Sequence, residues 1–274
     1  MNAAIVWREG KVHLAQDATV PLLDAGVLYG DGLFETMRAN GTDVEFLDEH
    51  IGRMERSAAA LSIKLPSASE LAGGICAAVA AANFELASVR LTVTRGLVQG
   101  VGPRGAAASK SPSWWVMVSP VTPGPSKPAH AVLLDPALVP PRPEHKSLSW
   151  QHAVVAQIAA GDADGIYVNE SNEVTEGISS NVFAVFGSVL HTPPVDRGLP
   201  GVTREAVLAA APEAGLECLE APLTVDHFRE ADEIMLSGAV AHVRAVVELD
   251  GKPVGDGKPG PSHRKLLKAL QSPS

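Results

Sequence analysis

The stretch VTEGISSNVF, residues 174–183, decides how the rest of this sequence is interpreted. Taken alone, its carboxylate Glu176 is best explained as a solvated surface group, as most glutamates are. Two other segments change that interpretation. EHKSLSW, residues 144–150, carries Lys146 after a proline-rich approach, and PGVTR, residues 200–204, precedes a predicted helix. A lysine, a carboxylate and a helix start therefore follow one another along the second half of the chain.

The PGVTR segment is suited to hold an anion. Backbone N–H groups at a helix N-terminus have no partner within the helix, and the helix dipole favours negative charge there. We expect Thr203 to be the N-cap of a helix over residues 204–211. The amides of Val202 and Thr203, with the Thr203 hydroxyl, would then bind a phosphate. A simple helix cap explains the same residues when they are considered alone.

Composition places the chain among ordinary globular proteins. Of its 274 residues, 46% are hydrophobic and 19% are charged, and the formal net charge is −9. This acidic balance without a basic cluster argues against a nucleic-acid partner, and no apolar run approaches the roughly 20 residues of a membrane span. The N-terminus lacks the basic and apolar regions of a signal peptide. We therefore expect a soluble cytoplasmic protein with a small-molecule substrate, in which Cys76 and Cys218 are reduced core thiols.

The pattern of elements predicts two α/β domains joined by a proline-rich linker. Four prolines and one glycine occur between residues 119 and 128, a composition typical of linkers. We place a smaller N-terminal domain at residues 1–118 and a larger C-terminal domain at residues 129–274. Alternating and helical patterns predict a hairpin at 4–15, strands at 33–39, 89–94, 114–118, 131–134, 165–168, 182–186, 234–236 and 243–249, and helices from 48, at 69–82, at 150–161 and at 264–270.

One glycine pattern points to a function that the sequence does not support. GVGPRG, residues 100–105, matches the dinucleotide-binding fingerprint, which must open a long helix and be followed by an acidic residue about 20 positions later. Pro112 prevents a long helix, and the next acidic residue is Asp135. We therefore expect a glycine-rich loop and no NAD site. The nine histidines are scattered without ligand spacing, so we expect no zinc site either.

The order of the segments, together with two in the first half, resembles a known family. YGDGLFETMR, residues 29–38, and DEHIGRM, residues 48–54, precede the lysine segment. As a set, these motifs are similar to those of the fold type IV enzymes that use pyridoxal 5'-phosphate (PLP). That family includes branched-chain aminotransferases, D-amino-acid aminotransferases and aminodeoxychorismate lyases. The resemblance extends from about residue 22 to residue 254. It implies two α/β domains with PLP in the cleft between them, and a homodimer.

The same resemblance implies the roles of individual residues. Lys146 would be the Schiff-base lysine and proton shuttle, Glu176 would pair with the pyridine nitrogen, and Arg53 would contact the phosphate. The other cofactor-binding residues would be Ser180, Asn181, Val202, Thr203, Ser237, Gly238 and Ala239. The chain departs from the family pattern at Ala239, where aminotransferases often have a threonine. It also has Trp150 or Gln151 where branched-chain enzymes place a tyrosine near the cofactor's ring oxygen.

Two reactions are compatible with this resemblance. Our first expectation is aminodeoxychorismate lyase, which eliminates pyruvate from 4-amino-4-deoxychorismate to give 4-aminobenzoate for folate synthesis. Thr36 stands where the lyases carry a threonine and would relay a proton. Arg104 lies in a segment similar to their arginine-glycine loop and would bind a substrate carboxylate. Phe34 and Tyr29 would line the substrate side.

The alternative is a class IV amino-acid aminotransferase with a branched-chain or other amino donor. D-amino-acid enzymes bind the substrate carboxylate with an arginine and a histidine two residues apart, together with a tyrosine. Here residues 104–106 read RGA, and Phe34 occupies the tyrosine position. The D-specific set is therefore missing from the sequence, and a D-amino-acid substrate is the less expected form of this alternative.

Overall fold

The computed structural model describes residues 3–100, 102–124, 126–140 and 143–271. The chain divides into two compact units, one formed by Met1–Gly124 with His145–Trp150 and the other by Pro125–Glu144 with Gln151–Ser274. The first division falls within the predicted linker, and the lysine segment returns to the first unit. Two residues of the proline-rich approach to Lys146, at 141 and 142, lie outside the described residues, as does residue 101 of the glycine pattern and the chain's first two residues.

The first unit is an antiparallel sheet with helices. Its strands within the described residues are β1 Ile5–Arg8, β2 Lys11–Leu14, β3 Gly32–Asn40, β4 Asp43–Val44, β5 Leu86–Thr94 and β6 Ser113–Pro120. Its helices there are α1 Ala25–Tyr29, α2 Leu47–Leu61, α3 Ala68–Ala82 and α4 Gly102–Ala107. The strands pair in the order β2-β1-β6-β5-β3-β4.

Alternation along β3 and β5 gives the first-unit sheet two different faces. Leu33 and Met37 of β3 lie in a buried hydrophobic cluster with residues of α2 and α3, so this is the core face. Successive strand residues point to opposite sides, which places Phe34 and Thr36 on the other face. That second face carries the candidate functional side chains of this unit.

The second unit is built on a larger mixed sheet. Its strands within the described residues are β7 Ala129–Leu134, β8 Asp164–Val168, β9 Glu173–Gly177, β10 Asn181–Phe186, β11 Val189–Thr192, β12 Glu217–Glu220, β13 Leu223–Thr224, β14 Glu233–Gly238, β15 His242–Leu249 and β16 Lys252–Pro253. Its helices there are α5 Gln151–Ala160, α6 Val202–Ala210, α7 Val225–Arg229 and α8 Pro261–Gln271. The sheet order is β12-β11-β10-β14-β15-β7-β8-β9-β13, and β16 pairs with β15.

Side chains on both faces of the second-unit sheet are buried. Val182 and Ala184 of β10 pack in one cluster with Phe228 of α7, whereas Phe183 of the same strand packs in another with Val207 of α6. A strand covered on both faces reads as a nearly continuous apolar run, which is why NVFAVF was recognisable as a strand. The predicted α/β class is confirmed, and the predicted hairpin, strands and helices lie where the sequence placed them within a few residues.

Three sequence expectations are wrong. Thr203 is not the N-cap of α6: the helix begins at Val202, and its N-cap is Gly201, which has no side chain to cap it. The glycine pattern contains the short helix α4, which ends before Pro112, where we expected only a loop. Both thiols are free but exposed, Cys76 on α3 and Cys218 on the edge strand β12, so neither is a core residue. In the described part of the chain, no helix is long and apolar enough to cross a membrane.

Candidate active site

Backbone hydrogen bonds hold the lysine segment against β3 in the first unit. The Phe34 amide donates to the Lys146 carbonyl over 3.0 Å, and the Leu148 amide donates to the Gly32 carbonyl over 2.9 Å. Leu33 and Ser147 form an isolated antiparallel bridge between these two bonds. The segment behaves as a short extra strand, so the backbone of Lys146 has a defined position relative to the sheet face that carries Phe34.

Two aromatic rings receive the Lys146 side chain. Its Nζ lies 4.6 Å from the centroid of the Phe34 ring and 5.7 Å from that of Trp150. The two rings meet edge to face, with centroids 5.1 Å apart. An ammonium group is attracted to the face of an aromatic ring within about 6 Å, so these contacts stabilise one position of the amine. Trp150, one of two residues at the family's tyrosine position, therefore contacts the lysine.

Arg90 is a functional candidate that the sequence analysis missed. It lies on β5 directly opposite Thr36 of β3, and its Cζ is 3.7 Å from the centroid of the Phe34 ring. Burial lowers the pKa of this guanidinium. Within the described residues, Arg90 has neither an ion pair nor a hydrogen bond. The sign of this role was in VRLTVT, residues 89–94. Its core residues Val89, Leu91 and Val93 lie on one face of the strand, and Arg90 lies on the other face.

A partly buried arginine that has no anion beside it is suited to bind an anionic ligand. Desolvation of a charge costs free energy unless a partner of opposite charge offsets it. The planar guanidinium is suited to a carboxylate, which it can bind through two parallel hydrogen bonds. Arg90 and Lys146 are neighbours of the same ring, at 3.7 and 4.6 Å from the Phe34 centroid.

Arg53, the predicted phosphate contact, lies in a buried charged cluster on α2 and β3. Its Nε and Nη2 donate to the two oxygens of Glu35 over 2.9 and 2.5 Å, and His50 Nδ1 lies 2.7 Å from the same carboxylate. Burial by itself raises the pKa of Glu35, but hydrogen bonds from His50 and Arg53 hold that pKa below its ordinary value. Glu35 thus fixes the Arg53 head group. The sequence analysis missed Glu35, although a glutamate between Leu33 and Met37 on the core face was a sign of such a pair.

The other predicted first-unit residues lie at different levels of exposure. Thr36 is partly buried, two residues from Phe34 on the same strand face. Tyr29 ends α1 and is 43% exposed. Arg104 lies on α4 and is exposed. Among the predicted substrate-side residues, Phe34 lies beside the Lys146 amine.

In the second unit, Glu176 is buried on β9 and receives a backbone hydrogen bond. The Leu199 amide donates to its Oε2 over 2.8 Å. A Cβ built on Gly198 would lie 2.9 Å from the Glu176 carboxyl carbon, closer than side chains approach one another. Glycine at 198 therefore allows the chain before α6 to approach the carboxylate.

Asn181 connects this carboxylate loop to the start of α6. Its Nδ2 donates to the Leu199 carbonyl over 2.8 Å, and a Cβ on Gly201 would lie only 1.9 Å from its Oδ1. One residue earlier, Ser180 closes the turn after Glu176, since its carbonyl accepts from the Gly177 amide over 2.8 Å. The predicted Ser-Asn pair thus shapes the approach to the helix N-terminus.

Ser237 supplies a buried hydroxyl beside Asn181. The two residues are register partners on β14 and β10. Ser237 is 1% exposed, and its Oγ has no hydrogen-bond partner among the residues described. Val202 and Thr203, in the first turn of α6, are buried, and Gly238 and Ala239 follow Ser237. A helix start and an unpaired buried hydroxyl, linked through Asn181, fit the phosphate of PLP.

Tyr167, on β8 next to β9, is a second group that the sequence analysis missed. It is 1% exposed and packs with Leu134 and Ala156, yet its hydroxyl has no hydrogen-bond partner in the described part of the chain. Burial, together with the nearby charge of Glu176, raises the pKa of Tyr167 to about 12. The phenol is therefore a protonated donor in the vicinity of the Glu176 carboxylate.

Comparison with known proteins gives aminotransferases among the most similar relatives. A family model described as amino-transferase class IV matches residues 32–249. A putative branched-chain-amino-acid aminotransferase of Methanocaldococcus jannaschii is 33% identical over 271 residues, covering 95% of this chain and 93% of the relative. A D-alanine aminotransferase of Listeria monocytogenes is 31% identical over 266 residues, covering 93% and 91%.

A solved structure gives the same result at the level of the fold. The branched-chain amino acid aminotransferase of Escherichia coli has a TM-score of 0.84 at 26% identity and covers 97% of this chain and 92% of its own. These relatives carry aminotransferase names, so the comparisons favour our alternative over the lyase that we expected first. The chain belongs to the class IV aminotransferase family and has its fold type IV architecture.

Proposed function

We propose that this chain is an amino-acid aminotransferase of the branched-chain type, which transfers an amino group from an amino acid with an apolar side chain to a 2-oxo acid. The observation that carries the proposal is the group around the Phe34 ring, where the Lys146 amine lies together with the Arg90 guanidinium, which has no ion pair among the described residues. A lysine beside apolar rings and a cation suits a substrate with a reacting amine, an apolar part and a carboxylate.

PLP is the cofactor of this family, and its ring withdraws electrons from bonds at the carbon that carries the substrate amine. Lys146 would hold the cofactor covalently and carry the proton removed from that carbon. Glu176, already oriented by the Leu199 amide, would keep a proton on the pyridine nitrogen. The first-turn amides of α6 and the Ser237 hydroxyl would bind the phosphate, and Arg53 remains a predicted contact of that phosphate. Ala239 supplies no hydroxyl there.

The substrate contacts follow from the first-unit face. Arg90 would bind a carboxylate of the amino acid or of the 2-oxo acid, since it lacks an anion in the described residues. Phe34 and Trp150 offer aromatic surface to an apolar side chain. Thr36, opposite Arg90, would contact the same ligand through its hydroxyl. We therefore assign substrate specificity to these four residues, all of which lie in the first unit.

Relatives named for D-alanine and for branched-chain amino acids are almost equally similar to this chain, so the choice rests on residues. The D-specific carboxylate set is missing here: Arg104 is exposed on α4, Ala106 stands where the histidine would be, and Phe34 has no hydroxyl. An apolar Phe34 packed against Trp150 favours the branched-chain type.

We also propose that the enzyme acts as a homodimer. Large apolar side chains are exposed in each unit: Leu22 at 80% and Leu23 at 63% before α1, and Ile158 at 77% on α5. Exposed apolar groups of this kind mark association surfaces, and closed two-fold dimers are the commonest assemblies. Light scattering on the holoenzyme tests this, and a mass of one chain at micromolar concentration would contradict it. The free thiols fit a reducing, cytoplasmic setting.

A paired assay tests the proposed reaction. Purified holoenzyme receives a panel of L- and D-amino acids, and conversion of bound PLP to its amine form is followed by absorbance, with 2-oxoglutarate or pyruvate added to reverse it. A second sample receives 4-amino-4-deoxychorismate and is followed for 4-aminobenzoate and pyruvate. We expect conversion with branched-chain L-amino acids and no 4-aminobenzoate. Release of 4-aminobenzoate without amino transfer would restore the lyase and its roles for Thr36 and Arg104.

A further inference from the structure

We propose that Tyr167 is a cofactor-binding residue that donates its phenolic hydrogen to the ring oxygen of PLP, in place of the tyrosine that related enzymes carry after the lysine. The inference rests on the proposed function, because it requires PLP at Glu176. It identifies a residue on β8 that neither the motifs nor the similarity to other proteins indicated.

The Tyr167 hydroxyl is buried at a cost to the stability of the fold. Tyr167 is 1% exposed among apolar neighbours that include Leu134, Ala156 and Ile178, and its oxygen finds no partner among the described residues. A buried hydroxyl without a partner destabilises a fold, because no hydrogen bond offsets its loss of water, whereas phenylalanine would fill the same space without that loss. A bound ligand that accepts the hydrogen bond would explain why a tyrosine occupies this position.

Tyr167 lies close to Glu176 in the second-unit sheet. Tyr167 lies on β8, whose neighbour β9 carries Glu176, and the residues next to them in sequence, Ile166 and Gly177, are register partners. The Glu176 charge acts on the phenol and contributes to its raised pKa. A group bound to Glu176 is therefore close to the phenol, and at neutral pH the phenol is protonated and able to donate.

PLP has one polar group for which the residues assigned so far offer no donor. Its polar groups are the pyridine nitrogen, the ring oxygen, the reacting carbon and the phosphate. Glu176 would take the nitrogen, Lys146 the reacting carbon, and Ser237 with the α6 amides the phosphate. The ring oxygen is then the group without a protein donor, and only one ring carbon separates the nitrogen from the carbon that carries this oxygen. An anionic oxygen is a strong acceptor for a phenol.

The two residues at the family's tyrosine position have other surroundings. The Trp150 ring contacts Phe34 and the Lys146 amine. Gln151 is exposed at the first position of α5. Tyr167, buried on β8, carries the same phenol as the missing residue and has no partner for it among the described residues.

The test compares Tyr167→Phe with wild type in thermal unfolding and in PLP affinity. If the hydroxyl were purely structural, the substitution would lower both. In cofactor-depleted protein, thermal unfolding should occur at an unchanged or higher temperature, because the variant loses only an unpaired hydroxyl. Titration with PLP, followed by absorbance, should show about 10-fold weaker binding, the loss expected for one hydrogen bond to a charged acceptor. The absorbance maximum of bound PLP should also shift. Weaker PLP binding without a loss of stability in the cofactor-depleted protein is the signature of a hydroxyl that has a partner only in the holoenzyme.

Two matched variants frame this result. Thr192→Val removes a buried hydroxyl that does have a partner, the Val182 carbonyl at 2.7 Å, so it should lower the unfolding temperature and leave PLP affinity unchanged. Gln151→Leu should change neither. PLP affinity of Tyr167→Phe within twofold of wild type, unfolding that falls as it does for Thr192→Val, or a loss of affinity in Gln151→Leu instead would each overturn the inference. Failure of wild-type protein to bind PLP would reject the proposed function itself, which is a distinguishable outcome.

Discussion

The two units carry their candidate functional groups in different ways. In the first unit the functional groups are long side chains on one sheet face, with Lys146 and Arg90 stacked on Phe34. In the second unit they are backbone amides, such as that of Leu199, which donates to Glu176, together with close-packed glycines and short buried side chains such as Ser237. The first arrangement suits groups that must move protons or admit different substrates. The second suits a cofactor that is held in one position.

This contrast predicts that first-unit substitutions alter turnover and specificity, whereas second-unit substitutions alter cofactor binding. Glu176 is the informative exception. It lies in the second unit, yet its proposed role is electronic, so its substitution should affect turnover more than cofactor affinity.

The largest effect is expected for Lys146→Ala. Without the amine there is neither a covalent link to PLP nor a carrier for the substrate proton, so kcat should fall by at least about 10⁴-fold, the upper range of positioned acid–base catalysis. The absorbance of covalently bound PLP should disappear. Stopped-flow absorbance and steady-state transfer assays measure both. Lys64→Ala, at an exposed position, is the control. Normal turnover in the Lys146 variant would reject the assignment of the lysine.

Glu176→Gln should lower kcat by about 100-fold, the upper range for one hydrogen bond to a charged group. The amide oxygen can still accept from the Leu199 amide, so the loop should stay in place, but a neutral amide cannot keep the pyridine nitrogen protonated. PLP should remain bound, as measured by its absorbance after gel filtration. Glu170→Gln, in the exposed turn before β9, is the control. Equal losses of PLP affinity and kcat would assign Glu176 a role in holding the cofactor only.

These two residues were predictable because their motifs are local, and the residues missed were those defined by pairing between strands. Glu176 and Lys146 lie in contiguous segments whose order along the chain indicates a family. Arg90 depends on the register of β5 with β3, which places it opposite Thr36. The lyase expectation gave weight to Thr36 and Arg104 as isolated matches, and it did not consider the cation that actually stacks on Phe34.

The error at α6 has a similar physical cause. Thr203 is a good capping residue, and PGVTR places it close to a helix start. The helix begins two residues earlier than expected, at Val202, and its N-cap Gly201 approaches Asn181 so closely that a side chain is excluded there. The close approach belongs to the tertiary structure, and a sequence pattern for helix starts contains no information about it. Tyr167 was missed for the same reason, since burial of its hydroxyl without a partner among the described residues is visible only after folding.

Arg90→Met should separate substrate recognition from chemistry in the first unit. Loss of a charged hydrogen-bonding partner should raise KM for a dicarboxylic 2-oxo acid such as 2-oxoglutarate by roughly 10- to 100-fold, with kcat changed much less. Stability should be unchanged or higher, because Arg90 has no ion pair to lose within the described residues. Arg38→Met is the control, since Arg38 of β3 lies on the same face of the sheet as Arg90 of β5 but pairs with Glu45. A large fall in kcat at unchanged KM would show that Arg90 acts on the reacting atoms instead.

Ser237→Ala should give the smallest effect and test the second unit directly. A lost hydroxyl contact to a phosphate should weaken PLP binding by about 10-fold or less, because the α6 amides remain. Turnover at saturating PLP should stay close to wild type, in contrast to Glu176→Gln. Cofactor-depleted protein should not lose thermal stability, since the Ser237 oxygen has no partner among the described residues to be deprived of. Equilibrium titration with PLP and thermal unfolding measure these quantities. If kcat fell while PLP affinity was unchanged, Ser237 would act on turnover, and the expectation that second-unit substitutions alter mainly cofactor binding would be wrong.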